Sequence, residues 1–305
     1  DYESSNLPVA VFVFHLKNPT QETLETAIAF SFQNNIGWSD RHSYEGTFNE
    51  LFRENGLAGI ALRRSGTDIP AEHRGELAIA TPEQAGKVTR LRQWDAVGDG
   101  AAFFSTFATE GELGTAEVPV ARGRAKAGAL AVKVGLGPGE TKDIPFFLTW
   151  YFPQMDLRDV GVTSFGTIRE GKEVHFDLQG WSQQYASRAT GATSLAAKAF
   201  QSYERWWEAI HGLHTRMSSS GVPNWLVSRY FHDLTYIPGN TYWINKERAN
   251  FFLLQEGQFG NGLCTVDVDG YNWLVLMWPE LELQEMRQLA RNQWPSGEGA
   301  QELAL

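Results

Sequence analysis

Positive charge is in short supply. The 305-residue chain holds 26 Lys and Arg against 36 Asp and Glu, a net charge of −10 and a pI near 5.2, which argues against a surface for polyanions and excludes nucleic acid as an expected partner. Cysteine is almost absent. The single Cys264 excludes an internal disulfide and a cysteine-rich metal site, without placing the protein inside or outside the cell. Long apolar runs are missing as well: residues 9–16 and 144–152 are of strand length, well short of the roughly 20 residues a membrane helix needs, so no transmembrane segment is expected and the chain reads as soluble. There is no internal repeat, no low-complexity tract, no initiator Met before Asp1 and no signal-like apolar stretch behind it; the true N-terminus is expected upstream, and the compartment stays open. What is plentiful is aromatic. Phe, Trp and Tyr make up 13% of a chain that is 42% hydrophobic, and 11 of them are Trp. A length of 305 residues, at about 100–200 per domain, points to two domains.

The first half has the texture of a sheet protein. Leu24, Thr26, Ile28, Phe30 and Phe32 alternate with Glu25, Ala27, Ala29 and Ser31, the period of a half-buried strand. It follows the apolar run 9–16 across Asn18-Pro19-Thr20, which suggests a hairpin. Residues 129–136 and 141–150 are separated by Gly137-Pro138-Gly139-Glu140, the sequence of a second turn. Shorter strand-like runs lie at 57–62, 76–81 and 174–178. Together they predict an antiparallel β-sandwich over residues 1–182. The texture then changes. Leu195, Ala199, Tyr203 and Trp206 recur at helical spacing in an Ala- and Glu-containing stretch from 185 to 217, with further helices expected at 225–236, 270–278 and 280–292. Residues 183–305 therefore read as the start of a helical domain, too short for a large closed helical barrel.

Candidate chemistry is densest from Gln255 to Pro279. Glu256, Asp267 and Asp269 stand there among glycines and Asn261, ahead of an aromatic helix. Such loops hold polar ligands on rigid scaffolds, while the plainer alternative makes Asp267 or Asp269 a helix cap. A calcium loop at Asp267-Val268-Asp269-Gly270 is disfavoured, because Tyr271 stands where a ligand is needed and glycine comes too early. His211 and His214 lack a third metal ligand, and Cys264 lacks a base that would make it a nucleophile. No metal and no organic cofactor is expected. Eight tryptophans lie from Trp181 onward. Aromatic rings stack on the C–H faces of sugars and carboxylates accept from hydroxyls, so this combination suggests carbohydrate, with most rings filling core.

Several runs carry a resemblance. Glu256-Gly257-Gln258, Thr265-Val266-Asp267-Val268, Tyr271 and Trp278-Pro279-Glu280-Leu281-Glu282-Leu283 resemble the corresponding stretch of glycoside hydrolase family 116, the non-lysosomal glucosylceramidases and their bacterial β-glucosidase relatives. Glu256 and Asp267, eleven residues apart, fit that register without a gap. Upstream, Pro8-Val9-Ala10-Val11-Phe12, Asn18-Pro19-Thr20, Gln33-Asn34-Asn35-Ile36-Gly37-Trp38, Gly98-Asp99-Gly100 and Pro223-Asn224-Trp225-Leu226 also look like landmarks of the family, so the resemblance spans nearly the whole chain.

The resemblance implies a retaining β-glycosidase of β-glucosidase or glucosylceramidase type, with an N-terminal β-sandwich leading into an (α/α)6 catalytic barrel. Glu256 is then the nucleophile, and Asp267 and Thr265 bind the sugar of a small-molecule glycoside or glycolipid substrate. The acid/base is expected to be an Asp further along the barrel, beyond Leu305, which leaves the 305 residues inactive by themselves. Phe259 and Leu263-Cys264 depart from the glucosylceramidase-like pattern beside the nucleophile, so sugar and aglycone stay open. The rival reading is a non-catalytic carbohydrate-binding or scaffolding protein with the same sandwich; an inverting glycosidase is a third.

Overall fold

The computed structural model describes residues 2–38, 43–66, 68–114, 119–162, 166–169, 172–233, 241–246, 249–257, 260–263, 279–291 and 295–296. The chain divides into two compact units, one made of residues 8–152 with 189–207, the other of residues 1–7, 153–188 and 208–305.

The first unit contains β1 (Val9–Lys17), β2 (Leu24–Gln33), β3 (Thr47–Glu54), β4 (Leu57–Arg64), β5 (Glu76–Pro82), β6 (Lys87–Asp95), β7 (Lys126–Leu136) and β8 (Thr141–Tyr151). They form two antiparallel sheets, ordered β1-β8-β5-β4-β3 and β2-β7-β6. Ile60, Leu62, Ile79, Ile144 and Phe146 of the larger sheet meet Leu130, Val132 and Val134 of the smaller one in a shared core, the packing of a sandwich. Each sheet is also covered outside. Ala196 and Ala199 of a long helix, residues 192–218, pack on Leu57, Ala80 and Phe147. A shorter helix, Ala101–Glu110, sets Phe103 and Phe107 beside Trp94 and Leu91. This double burial explains why Leu57-Ala58-Gly59-Ile60-Ala61-Leu62 runs apolar without alternating: the strand is buried on both faces.

Two expected hairpins take another form. β1 pairs with β8 and β2 with β7, so the turns at 18–20 and 137–140 do not join ladder partners. They carry the chain from one sheet to the other. Turn residues and strand periodicity are the same for both connections, and the pairing is decided by strands distant in sequence. Asn18 ties the two crossings together, its backbone N–H donating to Glu140 O at 2.9 Å and its side-chain amide to Leu136 O, Gly137 O and Glu22 O at 3.0, 2.9 and 2.7 Å. The local hairpin lies elsewhere, between β3 and β4. Its turn is Asn55-Gly56, with φ of 53° and 75°, the sequence preference of a two-residue hairpin turn. β3, β6 and the helix at Ala101–Glu110 all fall outside the strands and helices expected from the sequence.

The second unit opens with α1 (Tyr2–Ser5); the helix at Ala101–Glu110 is α2 and the long helix Ala192–Ser218 is α3. It adds β9 (Gln154–Met155), β10 (Gly166–Arg169), β11 (Lys172–His175), β12 (Trp181–Gln183), α4 (Asn224–Asp233), β13 (Thr241–Lys246), β14 (Ala249–Gly257), β15 (Gly260–Leu263) and α5 (Pro279–Arg291). β10 and β11 form a separate ladder, while the rest make a sheet ordered β15-β14-β13-β12-β9. Fully buried Trp181 sits at its core with Leu157 and Ile244, edge-on to Phe176 and Phe251. The helices expected at 225–236 and 280–292 are present as α4 and α5, and that at 185–217 as α3, whose regular part begins at Ala192. The expected helix at 270–278 lies outside the described residues. A wholly helical second half is not what folds, because β12 to β15 are interposed. No helix of the described residues is long and apolar enough to cross a membrane.

Candidate active site

Glu256 lies on β14, not in a loop. Residues 251–254 are a short apolar run with no period of its own, so the sequence does not type it as a strand; pairing does. β14 joins β13 in an antiparallel ladder from Thr241↔Leu254 to Lys246↔Ala249. On its other side it meets β15, where Gln255 pairs with Leu263 and Gly257 with Gly260. Between those pairs the register slips. Asn261 and Gly262 stand opposite the single residue Glu256, a bulge in the ladder at the candidate nucleophile. Bulges bend a strand and re-aim what it carries, and are frequent beside active sites.

β14 is held from two directions. On α5, Gln284 and Gln288 both donate to the Asn250 carbonyl at 3.1 Å, and Leu281 and Glu285 are buried along the same helix. On β13, Trp243 Nε1 donates to Asn250 Oδ1 at 3.0 Å, and the Arg188 guanidinium lies 5.4 Å from the Trp243 ring. Burial raises the Tyr242 phenol above its ordinary range. Lys246 reaches Asp177, whose carboxyl is lowered chiefly by the Gln179 backbone N–H. These groups pin the strand by hydrogen bonds and charge.

Thr265 and Asp267 lie outside the described residues, as do Cys264, Asp269, Tyr271, Trp273 and Trp278. Among the described residues no three His, Cys, Asp or Glu side chains cluster as metal ligands. The His214 ring stacks on Phe231 at 3.8 Å between centroids, an aromatic contact between α3 and α4. Of the tryptophans from 181 onward, Trp181 is core, whereas Trp207 and Trp225 are 58% and 71% exposed. The bulge at Glu256 has no signature in the sequence beyond the glycines around it. A strand followed at once by Gly257, Gly260 and Gly262 is the signal that locates it in retrospect.

A family model described as beta-glucosidase 2, glycosyl-hydrolase family 116 N-term, matches residues 1–206, the whole sandwich and the first half of α3. Glu256 lies past the matched segment. With some two thirds of its 305 residues inside that match, the chain belongs to glycosyl-hydrolase family 116, a family of glycoside hydrolases.

Proposed function

We propose that this chain is part of a retaining β-glycosidase acting on β-glucosides or glucosylceramide-like glycolipids, with Glu256 as the nucleophile. The single observation that carries the reading is family membership through the sandwich, joined to the family-like run from Glu256 to Leu283. In this reading residues 1–182 are the sandwich domain and residues 183–305 begin an (α/α)6 catalytic barrel, to which α3, α4 and α5 contribute.

The chemistry assigns each group a task. Ionised Glu256 attacks the anomeric carbon from the face opposite the leaving group, forming a glycosyl ester while the glycosidic C–O bond breaks. A second carboxyl about 5–5.5 Å away protonates the departing oxygen and then deprotonates the water that cleaves the ester. We assign that second role to an Asp outside these 305 residues. Thr265 and Asp267 hold sugar hydroxyls, hydrogen bonds that strengthen as the ring flattens toward the oxocarbenium-like transition state.

The test is trapping. A protein extended past residue 305 and treated with 2-fluoro-2-deoxy-β-glucosyl fluoride should gain one glycosyl mass on the peptide that contains Glu256. A label on a different carboxylate overturns the assignment. Absence of any label, with sugar binding kept, moves the protein to a non-catalytic role.

A further inference from the structure

We infer that β1 is a docking edge for a second copy of this chain: two β1 strands pair antiparallel about a two-fold axis at Val13 and join the larger sheets of two sandwiches into one. β1 ends its sheet, with β8 on one side and no strand on the other among the described residues. Which of its groups face outward follows from the ladder. Pro8 O accepts from the Trp150 N–H at 3.1 Å and the Asn18 N–H donates to Glu140 O at 2.9 Å, so at both ends the even-numbered residues are the ones bonded to β8. Bonded and non-bonded residues alternate along an antiparallel ladder. The N–H and C=O groups of Val9, Val11, Val13, His15 and Lys17 therefore point away from β8, and none of the five has a backbone partner there among the described residues.

Such an edge is a template for another strand unless something blunts it. The opposite edge of the same sheet is blunted. On β3, Thr47 O accepts from Lys126 Nζ and Phe52 O from Arg90 Nη1, both at 2.7 Å, and Phe48 O accepts from the amide of buried Asn34 at 3.0 Å, while Glu50 and Arg53 set charges along the strand. β1 carries none of these features. Its register with β8 runs unbroken from Val9↔Thr149 to Lys17↔Thr141, and residues 9–14 include no proline and no charge. Its core-facing side is open to water as well: Phe12 and Phe14 are 40% and 37% exposed, although their rings reach Phe30 and Phe146 at 5.2 and 5.8 Å between centroids. A row of unused N–H and C=O groups is matched by an extended chain and not by a helix, whose own groups are bonded within it.

The sequence of β1 makes a second β1 that chain. Val13 is the midpoint of Val9–Lys17 and one of its outward-facing residues. Antiparallel pairing about it joins all nine residues and matches outward groups with outward groups: Val13 with Val13, Val11 with His15, Val9 with Lys17. Centring the pair on Phe12 or Phe14 instead shortens it by two residues. The intervening positions set Phe12 directly across from Phe14 of the second copy, in the closely spaced non-bonded pairs where cross-strand side chains touch, so each exposed ring covers another. Charge agrees with this register. Lys17 falls opposite Val9, which keeps the two lysines about 27 Å apart, beyond the roughly 10 Å over which salt screens them. The edge lies in the first unit and does not depend on Glu256 being a nucleophile.

Sedimentation equilibrium of the 305-residue protein should show a reversible monomer–dimer exchange in the micromolar range, because nine residues a side are fewer than the roughly 20–30 of a standard interface. Val13→Pro deletes an N–H that points away from β8 and so spares the ladder of the monomer; with both Val13 bonds gone, the dimer should weaken about thirtyfold. Val13→Lys and Val13→Glu each set like charges across the axis and should be monomeric alone, while their equimolar mixture should dimerise, with the fold of each checked by circular dichroism. Leu51→Lys, on 45% exposed Leu51 of β3, should leave the exchange unchanged. A wild-type protein that stays monomeric throughout that range, a Lys and Glu mixture that stays monomeric, a dimer that survives Val13→Lys, or growth past the dimer into open-ended assemblies each overturns the proposal.

Discussion

Asn18 and Asn34 are buried amides placed where ladders stop. Asn18 serves five hydrogen bonds from its side chain, giving to three carbonyls and accepting from the Thr20 N–H and hydroxyl. Removing it strands buried carbonyls on both crossings, each at a cost of about 1–3 kcal/mol. Asn18→Ala should therefore lower unfolding free energy by about 2–4 kcal/mol in urea titrations. Asn18→Asp should cost more at neutral pH, because it sets a carboxylate against those same carbonyls; equal losses would show that bulk and not donation matters. Asp156 makes a different kind of prediction. Its side chain is 3% exposed, and its carboxyl is held below the ordinary range chiefly by the Arg158 guanidinium, whose Nε lies 2.9 Å away, with the Arg158 N–H assisting and burial opposing. A carboxyl that is more acidic folded than unfolded stabilises fully above its unfolded pKa of about 3.9, and loses that stabilisation as pH falls through the lower folded value. Asp156→Asn should thus be less stable than wild type at pH 6, with the gap closing as pH falls below about 4. A gap independent of pH would assign the effect to packing.

Elements were legible where local pattern and long-range pairing agree. β2, β7 and β8 alternate or run apolar between turn residues, and α5 keeps helical spacing from start to stop, so each lies close to its expected place. Partners were not legible. The turns at 18–20 and 137–140 read as hairpins and serve as crossings, since nothing in five residues states which distant strand completes a sheet. Asn55-Gly56 is a hairpin signal, but β3, with Asn49, Glu50 and Arg53, lacks the clean apolar face that would type the strand before it. α3 shows the same division. Its apolar spacing is visible from Leu195 onward, but what sets its start is tertiary: the first turn has no acidic residue of its own, and Glu76 of β5 supplies one. Glu76 accepts from the Ala192 N–H through one oxygen and from Arg63 Nε, at 2.9 Å, through the other; the Ala192 carbonyl accepts from Thr149 Oγ1 at 2.7 Å. A carboxylate at a helix N-terminus satisfies a free N–H and meets the positive end of the dipole. Glu76→Ala should cost about 1–2 kcal/mol, whereas Glu76→Gln, which keeps the acceptor, should cost about half as much. The check is urea unfolding followed by circular dichroism, and equal losses from both substitutions would remove the capping role.

At the scale of the molecule, a sandwich sheathed by α2 and α3 and a separate mixed unit each build a core, with the candidate nucleophile in the second. That position was read from a motif and not from folding physics, because the apolar stretch before Glu256 has no helical or strand period and the bulge beside it arises from pairing with β15. The proposed chemistry makes a demand that a binding role does not. If Glu256 forms a glycosyl ester, Glu256→Gly in a protein extended past residue 305 should lose turnover of a dinitrophenyl β-glucoside by about 10⁴-fold or more. Azide should restore much of it, since the small anion fits where the carboxylate stood and attacks from the same side, giving the α-glucosyl azide. An inverting enzyme, whose two carboxyls stand about 6.5–9.5 Å apart around a water, uses neither as nucleophile. There, the unmutated enzyme releases glucose first as the α-anomer, whereas a retaining enzyme releases the β-anomer. Product anomer, read by proton NMR, therefore separates the mechanisms, and a Glu256→Gly protein that keeps wild-type turnover would place the nucleophile elsewhere in the chain.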